Sequence, residues 1–232
     1  MSPSRTRRLL PVVALALVAA CGGQDPSART GGVPVAAVLA EGAGTGIAEL
    51  RSGQLAAARA GFESVVRADP ERMDALNDLA VAYHLAGHSE AARQLLDEVV
   101  ARGTPREQQA ALVNLADLYA GDGYLSAAQA HLDAAREIDP VRAEPAWAAA
   151  LLADARGDAD APRLAAEALR LDPDGAMRRQ LVFESAEERA HLEALVAEAS
   201  GDRTTATARW RELRTGRVAS LAQAAQRHLE SP

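Results

Sequence analysis

Leu79-Ala-Val-Ala-Tyr83-His-Leu-Ala-Gly87 and Leu115-Ala-Asp-Leu-Tyr119-Ala-Gly-Asp-Gly123 share one pattern, Leu-Ala-x-x-Tyr-x-x-x-Gly. Ala92 and Ala128 each follow the closing glycine by five residues, and Leu96 and Leu132 come four later. Turn glycines recur at Gly53, Gly87, Gly123, Gly157 and Gly201, with first spacings of 34, 36 and 34. Asp69-Pro70, Asp139-Pro140 and Asp172-Pro173 punctuate the same stretch, with Thr104-Pro105 between the first two. The residue before a proline avoids α geometry, so each pair stops a helix. A glycine permits the left-handed turn between two helices. Small residues recur at Ala80, Ala116, Ala92 and Ala128, where paired helices would have to approach closely. A single hairpin cannot bury its own apolar face, so several must stack.

These residues resemble the tetratricopeptide repeat, a helix–turn–helix unit. The resemblance implies an all-α fold, a right-handed superhelical array of antiparallel hairpins. Five units are expected, at about 39–72, 73–106, 109–142, 143–175 and 187–220. Units two and three match well. Unit one lacks the tyrosine, unit four is alanine-rich, and unit five lacks a closing proline. Ser185 and Glu188 are placed to form a capping box opening unit five. Residues 174–186 break the register, and Arg217 to Glu230 reads as a final solvating helix.

Outward from the repeats, the N-terminus is of another kind. Arg5, Arg7 and Arg8 precede an apolar run from Leu9 to Ala20. Twelve residues are too few to cross a bilayer, which takes roughly twenty; basic start, short apolar core and small residues describe an export signal. Leu17-Val18-Ala19-Ala20-Cys21 resembles the lipobox of bacterial lipoproteins. That implies cleavage before Cys21 and acylation of its sulfur and new amine, a near-permanent membrane anchor. Cys21 is the only cysteine, so no internal disulfide is available. The expected layout is a signal at 1–20, the lipidated Cys21 and a flexible Gly/Pro-rich tether over 21–38, four hairpins over 39–175, and a fifth hairpin with a capping helix over 176–232. The chain has 25 basic and 32 acidic residues, a net charge of −7, and every basic side chain is arginine. Removing the three signal-segment arginines leaves 22 against 32, or −10. Nucleic acid and anionic lipid, which call for clustered positive charge, are not expected partners.

The resemblance also implies a concave groove. Mapped onto this chain, it is lined by Asp74, Asn77, Val81, His84, Asp117, Glu144, Trp147, Leu151 and Asp154, with Val113, Glu188, His191 and Leu195 beside them. This acidic, apolar lining contains no arginine. Some relatives grip a terminal carboxylate with Lys, Arg and Asn, and Asn77 alone does not make such a clamp. Such a groove suits a basic, apolar peptide or helix, since complementary charge guides encounter and register. Trp147 is either a binding anchor or core. His84 and His88 stand four apart, but Gly87 separates them, and a metal would need more ligands and a second shell. No catalytic motif is present, and no cofactor is expected.

The leading expectation is a non-catalytic envelope adaptor, anchored at the periplasmic face of the outer membrane, whose groove binds proteins in pilus or outer-membrane complex assembly. A cell-wall-linked enzyme with a carboxylate site in the groove, a docking factor for cell-wall hydrolases, and a carrier using His84 and His88 are the alternatives. The anchor is directly testable. Cys21→Ser is expected to leave the protein soluble or unprocessed, measured by membrane fractionation; a variant as processed and as firmly bound as wild type would refute the lipobox reading.

Overall fold

The computed structural model describes residues 32–40 and 46–230. The signal segment, Cys21, most of the tether and residues 41–45 lie outside these. The described residues form helical hairpins: α1 (Ile47–Arg51) with α2 (Leu55–Ala68), α3 (Met73–Leu85) with α4 (Ser89–Arg102), α5 (Pro105–Gly121) with α6 (Leu125–Ile138), α7 (Glu144–Arg156) with α8 (Ala161–Leu171), and α9 (Ala186–Ser200) with α10 (Arg203–Leu213). A last helix, α11 (Ala219–Glu230), follows. The fold is an all-α solenoid, each hairpin packing on the next.

The chemistry of each joint repeats. The residue seven before each turn glycine is Gly46, Ala80, Ala116, Ala150 or Ala194, and all five are buried. A Cβ at Gly46 would come within 2.9 Å of the Ala58 carbonyl, which shows how tightly the first pair closes. Five residues beyond the glycine stand Ala58, Ala92, Ala128 and Ala206, and four later Phe62, Leu96, Leu132 and Trp210, again buried. Small residues set the helix separation and large ones fill the space between hairpins. The five turn glycines all take positive φ, between 77 and 84°. Asp69 and Asp139 end α2 and α6 in extended geometry, as residues before proline do. Tyr83 and Tyr119 are half-buried; Tyr83 donates its hydroxyl to Glu63, and Tyr119 stacks on His131.

Helix starts use local caps. Thr104 and Glu107 make a reciprocal capping box at α5. At α9, Ser185 accepts from the Glu188 amide, but the Glu188 carboxylate accepts from the Glu184 amide, one residue earlier than a capping box would have it.

Three stretches correct or extend the sequence reading. Residues 32–38, expected within the flexible tether, lie packed on the solenoid: Val33, Val35, Ala36, Ala37 and Val38 are all buried. Leu39 and Ala40, expected to open the first unit, continue that extended run, and α1 is only five residues long. The irregular stretch after α8 turns through Asp172, whose carboxylate accepts from the amides of Met177 and Arg178, and delivers β2 (Leu181–Val182). This pairs antiparallel with β1 (Ala37–Val38). Finally, α11, expected as a capping helix, buries Leu221 and Ala224 and reaches beyond the last hairpin. It turns back to pack on α7 and α9 as well as α10.

Trp147 is core. It is fully buried near the start of α7, a helix almost wholly enclosed, with the Arg178 guanidinium 5.9 Å from its ring centroid. Trp147→Ala is therefore expected to cost about 3–5 kcal/mol, typical of an aromatic lost from a core. Chemical denaturation checks this; a loss under roughly 0.5 kcal/mol, as for a surface change, would contradict the placement.

Candidate functional site

The inner face of the solenoid is formed by the first helix of each hairpin, and the chain fills it with its own residues. Over α3 and α5 runs the extended strap 32–40. Its backbone is read at nearly every second residue. The Val33 amide donates to the Ala120 carbonyl (3.0 Å) and the Val35 amide to the Asp117 carboxylate (3.1 Å). Val38 is held at both ends of its peptide groups: its N–H donates to Asn114 Oδ1 (2.6 Å), and its carbonyl accepts from Asn114 Nδ2 (2.9 Å) and Asn77 Nδ2 (3.0 Å). The Ala40 amide donates to Asp78 Oδ1 (2.7 Å). Asn114 also donates to Asn77 Oδ1 (2.8 Å), so the two amides orient each other across neighbouring hairpins. Pro34, which has no N–H, falls between two amides that have acceptors.

The strap enters by a close approach. A Cβ on Gly32 would come 2.0 Å from the Gly121 carbonyl oxygen, so only glycine passes there. Where it leaves, Val38, Leu39 and Ala40 border a cavity of about 140 Å³ shared with Asp74, Arg106, Gln109, Arg142 and Glu144. The inner face thus does carry arginine at this end, contrary to the sequence reading. Arg72 pairs with Asp74 (2.6 Å) and Arg142 with Glu144.

Over α7 and α9 the inner face is covered by α11. Asp154 binds both His191 Nε2 (2.7 Å) and His228 Nε2 (2.6 Å). His228 stacks flat on Trp210, with centroids 4.1 Å apart, and its Nδ1 meets Glu198 (3.0 Å). Burial opposes a charge on His228, but hydrogen bonds to Asp154 and Glu198 outweigh it and push its pKa up to about 9. Burial would raise the Asp154 pKa, yet the two imidazoles hold it well below the usual carboxylate range.

The structure therefore sorts the residues expected in the groove. Asn77 and Asp117 touch the strap directly. His84 is buried beside them, its Nε2 3.3 Å from Asp117, and Val81 is buried in the same region. Asp74 and Glu144 border the cavity at the exit. Leu151 and Trp147 are fully buried, and Asp154 holds α11. His84 and His88 do not converge: His88 is exposed and sits edge-on to Tyr83. Among the described residues, no group of three or more His, Cys, Asp or Glu is arranged to hold a metal. Two contacts were not anticipated, Asp78 and Asn114. They stand nine residues before Gly87 and Gly123, the same place in two successive repeats, and that shared register was the available signal.

An α-solenoid whose inner face reads an extended backbone defines the class: a helical-repeat protein-interaction scaffold. Residues 49–112 match the family model of the tetratricopeptide repeat. No curated protein matches the chain. Among solved structures, the crystal structure of MamA is similar over 80% of this chain and 97% of that one, at 19% identity and a TM-score of 0.45.

Burial pushes the Asp78 carboxyl up to about 7, against opposing hydrogen bonds from the Ala40 amide and Asn77. Below pH 3.8 the group is neutral folded or unfolded. Between 3.8 and 7 the unfolded chain ionises while the folded one resists, so stability falls as pH rises and levels off above 7. Asp78→Asn keeps an oxygen for Ala40 and removes the charge. It is expected to flatten this slope and raise stability at pH 8 by a few kcal/mol on the order of the linked shift. Thermal melts from pH 4 to 8 measure it; an unchanged slope would contradict the assignment.

Proposed function

We propose that this protein is a non-catalytic scaffold of the bacterial cell envelope, anchored through lipid on Cys21, that holds an extended segment of a partner protein along its inner groove. The observation that carries this reading is the backbone recognition at α3 and α5. Asn77, Asn114, Asp117 and Asp78 all meet amide or carbonyl groups of an extended chain and none meets a side chain of it. Main-chain bonds supply affinity in such binding while flanking apolar pockets supply selectivity.

This refines the expected partner. The groove's carboxylates accept main-chain N–H groups, so its acidity does not require a cationic side chain. An extended apolar segment fits better than a basic helix. The anchor and the envelope location rest on the lipobox residues, and assembly of pilus or outer-membrane complexes remains the biological setting we favour. The tetratricopeptide match supports interaction, not chemistry.

Crosslinking in native membranes followed by mass spectrometry is expected to recover one recurring partner. Its yield should fall at least tenfold in an Asn114→Ala/Asp117→Ala double variant that remains helical. No recurring partner with wild type would overturn the scaffold reading.

A further inference from the structure

The groove's present occupant is the chain's own residues 32–40, Gly-Val-Pro-Val-Ala-Ala-Val-Leu-Ala. Its relation to the solenoid differs from that of any helix. Apart from Val33, the two-residue pairing with β2 and the Gly32 carbonyl, which accepts from Ser220 of α11, its backbone bonds run to side chains of α3 and α5. The helices complete their own ladders without it. The residues that join hairpin to hairpin on the second helices, Ala58, Phe62, Ala92, Leu96, Ala128 and Leu132, owe none of their hydrogen-bonded structure to it. Its side chains are small or aliphatic and uncharged, and Pro34 fixes one φ in an extended range.

The seat is also imperfect for this occupant. Asp78 Oδ2 and Glu144 Oε2 are buried without a hydrogen-bond partner, one beneath the strap's end and one bordering the cavity beyond it. A buried acceptor left without a donor is destabilising. An occupant donating to either oxygen would recover some of that loss.

We propose that residues 32–40 are a displaceable self-ligand, which closes the groove until an extended apolar segment of another protein, carrying a hydroxyl or ammonium donor near its C-terminal end, replaces it. This rests on the scaffold reading above and adds its regulation and the chemistry of the partner. The partner segment is about seven to nine residues long and, like the strap, carries small and aliphatic side chains. It presents free amides at spacings matching Val35, Val38 and Ala40. Displacement is an exchange of equivalent main-chain bonds, so the net preference is set by the few contacts that differ.

Two measurements on the mature full-length chain test this. The first is native-state hydrogen exchange of the wild type. The Val35, Val38 and Ala40 amides are expected to exchange at least tenfold faster than the α5 amides, which marks opening of the strap without global unfolding. Strap amides as slow as those of α5 would overturn the proposal, whatever any variant does. The second uses a fluorescent synthetic peptide of sequence 32–40 as the probe. Gly32→Val, whose side chain meets the Gly121 carbonyl, should bind it at least tenfold more tightly than wild type. Adding Asn114→Ala should abolish that gain. A folded Gly32→Val chain that does not bind the peptide would overturn the proposal. Concentration-dependent dimers with exchanged straps would overturn the partner assignment, making a second copy the occupant. If the strap opens and the peptide binds while membrane crosslinking finds no partner, the scaffold reading fails and the self-ligand stands.

Discussion

Val38 is gripped at both its N–H and its C=O by two asparagines that also hold each other, one on α3 and one on α5. An extended chain within a helical array exposes backbone groups that burial would leave unsatisfied, and such groups are costly. The asparagine pair resolves this, because each primary amide carries both a donor and an acceptor and so matches a peptide group. With Val38 fixed, Val35 falls on Asp117 and Ala40 on Asp78, and Ala37–Val38 becomes a template for Leu181–Val182. The apolar burial of Val33 and of the six consecutive residues from Val35 to Ala40 depends on this polar register.

The two halves of the inner face are closed by different physics. Over α3 and α5 the closure is main-chain bonding to asparagine amides and to the Asp117 and Asp78 carboxyl groups; burial pushes Asp78 up to about 7, and burial first and then the Asp117 charge push nearby Glu188 up to about 7. Over α7 and α9 it is an ionic cluster, with Asp154 between two imidazoles and His228 sandwiched against Trp210. A helix held by aromatic stacking and charge-assisted bonds is a fixed fitting. A strap held by exchangeable amide bonds is a replaceable one. The groove is thereby divided into a permanent floor and an addressable slot.

Much of this was legible in the residues, because helix packing writes itself as periodic size. Glycine in each turn, a small residue seven before it and, in four of the five hairpins, alanine five after it and a large residue four later are local demands of close helix contact, and they mark out the hairpins and their order. The strap escaped because its composition reads as linker: a Gly-Gly start, a proline and small residues have no helical period. Its structure comes from partners about 40 and 75 residues away. Asp78 and Asn114 escaped for a related reason. They share a repeat position but not an identity, and the mapped face was displaced from them by one residue. Trp147 could not be decided locally, because its burial comes from α7 being enclosed on every side, a property of the assembled array.

Stacked repeats ordinarily touch only their neighbours, so their ends can open while the middle stays folded. Here Val38 is paired with Leu181, which lies 143 positions later, and Gly32 is met by Ser220 of α11. Head and tail of the array are stitched together through its centre. Synthesis delivers the strap first and the residues that complete its seat last. The nascent apolar segment must therefore wait for α5 before most of its partners exist, and for Leu181–Val182 and Ser220 before its seat is complete. Closing that long loop turns a linear stack into a ring of mutual dependence, raises its contact order and slows its folding relative to an open array of the same helices.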